Sequence, residues 1–157
     1  MTADQLVTEI ERSWLDVSYP DGDGLTVHPL GLDEEFYEGL VGKSWASLSP
    51  SFLTYHADCI GLLTPKGFQY FLPAFLISDL QLGANTNIRF WIFGALQGCL
   101  GGGSHIKKLS GPDWFRSRIS ELTPRQKSCV IKFIDFSGEG DLDNYDLIVE
   151  HLRAVLP

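Results

Sequence analysis

The sequence predicts a mainly α fold, a single compact helical domain of about six to seven helices, and three observations carry that reading. A polar residue followed by proline occurs at Ser49-Pro50, Thr64-Pro65 and Thr123-Pro124, the pattern of a capped helix start with proline in the first turn. Behind these starts, apolar residues recur at three- and four-residue spacing, so that they line one side of a helix. Hydrophobic residues make up 44% of the 157 residues and aromatic residues 12%, enough apolar surface to offset the entropy of ordering one core.

The elements follow in chain order. Thr2 and Gln5 have the spacing of a capping box, and Val7, Ile10, Trp14 and Val17 trace one side of a first helix. Tyr19 to Gly24 is turn chemistry throughout, and Leu25 to Leu30 is read as one short extended segment. A short helix is expected from Asp33, burying Leu32, Phe36 and Leu40 and stopping at Gly42. From Ser49 the apolar face is Phe52, Leu53, Cys59, Ile60 and Leu63; from Thr64 it is Phe68, Phe71, Leu72, Phe75 and Leu76. Pro73, about two turns into the latter helix, lacks a backbone donor and crowds the preceding turn, so a kink or break is expected there. Gln81 to Asn87 reads as polar loop, whereas Ile88 to Phe93 fits a buried strand or a helix start and is taken as helix. Gly101-Gly102-Gly103-Ser104 is read as a flexible loop inside the domain. Helices are then expected from Pro112 to Leu122 and from Thr123 to about Asp135, with a last one holding Tyr145, Ile148, Leu152 and Val155.

Charge and cysteine usage narrow the functional classes. Twenty acidic against 12 basic residues give a net charge of −8, which repels phosphate backbones and anionic lipid. Nucleic acid and membranes are therefore not expected as direct partners, and a basic protein or a metal cation is. Cys59, Cys99 and Cys129 are odd in number and widely spaced, which fits a reducing compartment. Met1 to Asp16 has no secretory pattern, and the apolar run Ile88 to Leu100 is interrupted by Arg89 and Gln97. A cytoplasmic location follows as the expectation.

The stretch from Phe52 to Leu80 reads FLTYHADCIGLLTPKGFQYFLPAFLISDL, with Leu63-Thr64-Pro65, Gly67-Phe68 and Tyr70 to Ala74 at its centre. It resembles a bacterial family known only as the domain of unknown function numbered 6714. Trp45 upstream and the helix start Leu122 to Gln126 downstream extend the likeness. The resemblance implies a shared helical fold and no assigned chemistry.

Four constellations are candidates for chemistry. Asp135 to Asp146 can be counted as a calcium loop, with Asp135, Ser137, Glu139, Asp143 and Asp146 as oxygen ligands and Gly140 at the sixth position. Against it stand an aspartate where a bidentate glutamate belongs and the bulky Phe136 at the second position; an acidic loop between helices explains the string more simply. His56 and Cys59, with Asp58 between them, could face one metal, but no second pair completes a site. Cys99 with His105, and the glycines from Gly98 to Ser104 ahead of Lys107 and Lys108, fail the tests for a nucleophile–base pair and for a phosphate loop. Asp33, Glu34, Glu35 and Glu38 sit in and just past the first turn of a short helix, where carboxylates favour the dipole and solubility.

The leading expectation is a noncatalytic acidic binding module, an immunity-type inhibitor that docks a basic partner such as a bacterial toxin domain. Its contacts would be Asp33, Glu34, Glu35, Glu38, Glu139, Asp141, Asp143 and Asp146, with no cofactor and no particular oligomeric state implied. The alternatives are a metal-binding protein or enzyme using the 135–146 loop, and a small acidic secretion chaperone.

Overall fold

Every helix leaves its first backbone N–H groups without internal partners, and this chain meets that need with side chains at four starts. In the computed structural model, which describes residues 1–20, 24–26, 34–83, 86–97, 112–137 and 150, helix α1 spans Ala3–Trp14. Gln5 N–H donates to Thr2 Oγ1 at 3.2 Å and Thr2 N–H to Gln5 Oε1 at 2.8 Å, the reciprocal box that the spacing predicts. Helix α2 spans Glu34–Leu40 and gives way at Gly42, whose φ of +68° suits glycine. Helix α3, Pro50–Tyr55, is capped by Ser49 and α4, Pro65–Leu82, by Thr64. Helix α5 is Ile88–Gln97, α6 Pro112–Glu121 and α7 Pro124–Ser137, the last opened by a second capping box between Thr123 and Gln126. Trp45–Ser47 and Ala57–Leu62 are 3₁₀ turns. The described residues contain no strand; one isolated antiparallel bridge joins Thr26 to Leu63. The mainly α expectation holds, and the ambiguous run at Ile88 is helical.

Helix α4 is the axis of the fold. It contacts α1, α3, α5, α6 and both 3₁₀ turns, and α1 also packs on α7. The expected face Phe68, Phe71, Leu72, Phe75 and Leu76 is buried, and so are Tyr70, Pro73, Ala74 and Ser78 around the helix, as a central element requires. Helix α1, by contrast, buries a single row, Leu6, Ile10 and Trp14, spaced by four. Val7 is only half-buried and Val17 lies beyond the helix end, because the four-residue row faces α4 and α7 directly.

The break expected at Pro73 is absent, and α4 runs through it as one helix. Proline at this position deprives the carbonyl four residues earlier, that of Gln69, of its helical donor. The indole Nε1–H of Trp14 donates to that carbonyl at 2.6 Å. The lost helical bond is thereby replaced by a tertiary one that ties α1 to α4. Downstream of Ser49 the expected single face is divided between α3 and the 3₁₀ turn, leaving Phe52 and Cys59 half-buried while Leu53, Ile60 and Leu63 are in the core. Leu32, Asp33, the 27–30 part of the extended segment, the glycine run at 101–104 and the expected last helix lie outside the described residues, save Glu150.

Two buried polar clusters lock the packing. Gln126 is 1% exposed; its Nε2 donates to the Ser13 carbonyl at 3.1 Å, and its Oε1 accepts from Gln69 Nε2 at 3.2 Å. Gln69 Nε2 also donates to the Glu121 carbonyl, so one amide pair joins α1, α4, α6 and α7. Asp79 on α4 is fully buried and takes both Arg89 Nε at 3.0 Å and Nη2 at 2.9 Å from α5. Burial nevertheless holds the Asp79 pKa above its ordinary value, with the Arg89 hydrogen bond and charge pulling it back down.

Candidate functional site

The acidic residues singled out in the sequence fall into a described and an undescribed set. Glu34, Glu35 and Glu38 are exposed on α2, on the side away from buried Phe36 and Leu40. Asp33, Glu139, Asp141, Asp143 and Asp146 lie outside the described residues. What gives the α2 surface structure is a cluster of rings beneath it. Phe36 stacks on Phe52 at 6.0 Å between centroids, and His56 is wedged against Phe36 at 5.6 Å and Phe52 at 4.7 Å. His56 Nε2 lies 3.9 Å from Glu35 Oε1, and the Tyr55 ring stands perpendicular to the imidazole at 4.7 Å between centroids. Glu35 and Tyr55, from two different helices, therefore both approach one buried histidine. Tyr55 is 74% exposed, an unusual position for so large a ring, and Asp58 beside it is also exposed. The close approach of α2 to α3 depends on Gly39, where a methyl group would fall 2.3 Å from the Phe52 ring.

His56 and Cys59 do not point to a common centre. The histidine faces the ring cluster, whereas the Cys59 thiol donates to Asp58 Oδ1 at 3.7 Å. Among the described residues, no group of three or more histidine, cysteine, aspartate or glutamate side chains is arranged to hold a metal ion. Of the calcium-loop ligands, Asp135 and Ser137 are both within α7, the first exposed and the second buried, two residues and so about half a turn apart. Glu139, Asp143 and Asp146 are undescribed, as are Cys99, His105 and the glycine run. No helix among the described residues is long and apolar enough to cross a membrane.

Sequence reasoning missed a second place altogether. A cleft of about 580 Å³ opens between the C-terminal end of α1, the segment Asp16 to Pro20, and the first turns of α4 and α7. Arg12, Lys66 and Arg125 line it together with Asp16, over the Gln69–Gln126 amide pair. The signal was present as two copies of one string, Thr64-Pro65-Lys66 and Thr123-Pro124-Arg125. Only the fold shows that both copies open on the same cavity. A further buried cation, Arg118, donates to the Gly61 carbonyl and stands 5.5 Å over the Phe68 ring; burial lowers its pKa to about 9, so it stays protonated at neutral pH.

No family model, no curated protein and no solved structure matches this chain.

Proposed function

We propose that the chain is a cytoplasmic, noncatalytic binding module that docks a basic protein partner, in the manner of an immunity-type inhibitor seated on a cationic toxin domain. The observation that carries this reading is the approach of both Glu35 and exposed Tyr55 to His56, with Glu34 and Glu38 exposed on the same helix as Glu35. A tyrosine ring already packed against a neighbour costs little entropy to bury, and an aromatic face attracts an arginine or lysine. Carboxylates around it supply the charge complement and steer a cationic partner during approach. An aromatic anchor inside a charged rim is the usual composition of an interface centre. The net charge of −8 favours the same class of partner, and the undescribed acids Asp33, Glu139, Asp141, Asp143 and Asp146 would extend the surface. The likeness to family 6714 adds a proposed kinship of fold and no chemistry.

The test is a low-salt affinity capture from native lysate with the wild type, the charge-reversed Glu34→Lys/Glu35→Lys/Glu38→Lys protein and Tyr55→Ala, each eluted in a salt gradient. A basic protein retained by the wild type, released by salt and lost from both variants is the expected result. Equal retention by the charge-reversed protein, or no basic protein on the wild type, would sink the reading.

A further inference from the structure

Lysine and arginine are at the wrong end of α4 and α7. The first turn of a helix is the positive end of its dipole and is stabilised by carboxylates, as Asp4 on α1 and Glu34 and Glu35 on α2 illustrate. Helices α4 and α7 instead carry Lys66 and Arg125 as their second residues, both exposed and neither in an ion pair among the described residues. Each choice works against helix stability, and the two unfavoured cations converge on one cavity in a protein whose net charge is strongly negative. Arg12, also exposed and outside any ion pair among the described residues, adds a third positive charge from the last turn of α1. Asp16 is the one acid in the described lining, so positive charge dominates the cleft.

The remaining walls are built rather than incidental. Tyr19 is fixed by its hydroxyl, which donates to the Leu40 carbonyl at 3.2 Å and accepts from Gly42 N–H at 2.9 Å. Its ring, with Val17 and Pro20, gives the cavity an apolar side, and the Gln69–Gln126 pair gives it a polar floor held by hydrogen bonds to α1 and α6. A volume of about 580 Å³ lies within the range of small-molecule sites, roughly 300–1,000 Å³.

We propose that this cleft binds a small anionic metabolite through a phosphate or carboxylate group held between Arg12, Lys66 and Arg125, with its organic body against Tyr19. The site is separate from the α2 surface, and the proposal stands whether or not a protein partner docks there.

Calorimetric titration of the full chain at low salt with inorganic pyrophosphate and with citrate tests it. Lys66→Glu and Arg125→Glu are compared with Lys43→Glu, which makes the same change in net charge at an exposed residue outside the cleft. Saturable binding of at least one anion, weakened about tenfold or more by either cleft variant and unchanged by Lys43→Glu, is expected from the loss of one charge-assisted contact. Preference for pyrophosphate assigns a phosphorylated ligand; preference for citrate assigns a polycarboxylate. Thermal melts should show both cleft variants as stable as the wild type or more so, since a carboxylate suits a first turn. Absence of saturable binding by both anions, or equal weakening by Lys43→Glu, would overturn the assignment.

Discussion

At Gly67 a single missing methyl group decides whether two parts of the chain can touch. A Cβ there would stand 2.3 Å from the Leu25 carbonyl oxygen, a backbone atom that cannot swing aside. Gly67→Ala must push Leu25 away and stretch the 3.0 Å bond from Thr64 N–H to that carbonyl. We expect it to destabilise by about 2–3 kcal/mol in urea denaturation. Gly94 is the opposite case, exposed within α5 with nothing inside 4 Å of its would-be Cβ, so Gly94→Ala should stabilise by about 0.5–1 kcal/mol. Trp14 supplies a third residue-scale prediction. Trp14→Phe removes the donor to the Gln69 carbonyl that Pro73 leaves without a helical partner, a cost of about 1–3 kcal/mol for the orphaned group. In a Pro73→Ala background the helix can supply its own N–H, so the same substitution should cost less. Equal costs in the two backgrounds would show that the tertiary bond does not stand in for the helical one. Of the expected kink or break at Pro73, the break does not form: the local signal is answered by a side chain 59 positions earlier (73 − 14).

Among the elements, the starts were the most legible part of the fold and the contacts between helices the least. Thr2, Ser49, Thr64 and Thr123 act through atoms three residues away, so a string of four letters carries the whole interaction. The Asp79–Arg89 pair has no such signature, because each residue alone resembles an ordinary surface charge; only the packing of α4 on α5 buries them together. That pair sets a prediction with a sign in pH. Arg89→Met leaves the Asp79 carboxylate buried and unpaired, which should cost about 3–5 kcal/mol at pH 7. Desolvation raises the Asp79 pKa above 3.8, so the folded state binds its proton more tightly than the unfolded one. Stability from this group is fully present below 3.8 and is lost as pH rises through the folded pKa. Without Arg89 to pull it down, that folded pKa rises further, so the loss, which starts from the same unfolded value, continues to higher pH. The stability gap between Arg89→Met and wild type should therefore narrow from pH 7 to pH 5, as read from urea midpoints and slopes. A constant gap would mean that lost packing of the arginine stem, and not the stranded carboxylate, causes the defect.

For the molecule as a whole, charge is distributed against its own sum: an acidic chain places exposed carboxylates on α2 and gathers three cations around one cleft. Composition made the first half of that arrangement visible and concealed the second, since a net charge of −8 says nothing about where the 12 basic residues lie. The same charge balance gives salt two opposite effects. Screening weakens attraction to a cationic partner, so the complex proposed here should dissociate as ionic strength rises. Screening also relieves the self-repulsion of the free, strongly acidic chain, so its melting temperature should rise by a few degrees between about 20 and 200 mM sodium chloride. Replacing Glu34, Glu35 and Glu38 by glutamine removes part of the repulsion and should shrink that rise. A melting temperature that falls with salt would instead mean that attractive pairs such as Glu9–Lys132, which joins α1 to α7, outweigh the repulsion between acids. In that case the exposed carboxylates of α2 are not under strain in the free protein, and relief of repulsion would add nothing to the binding of a basic partner.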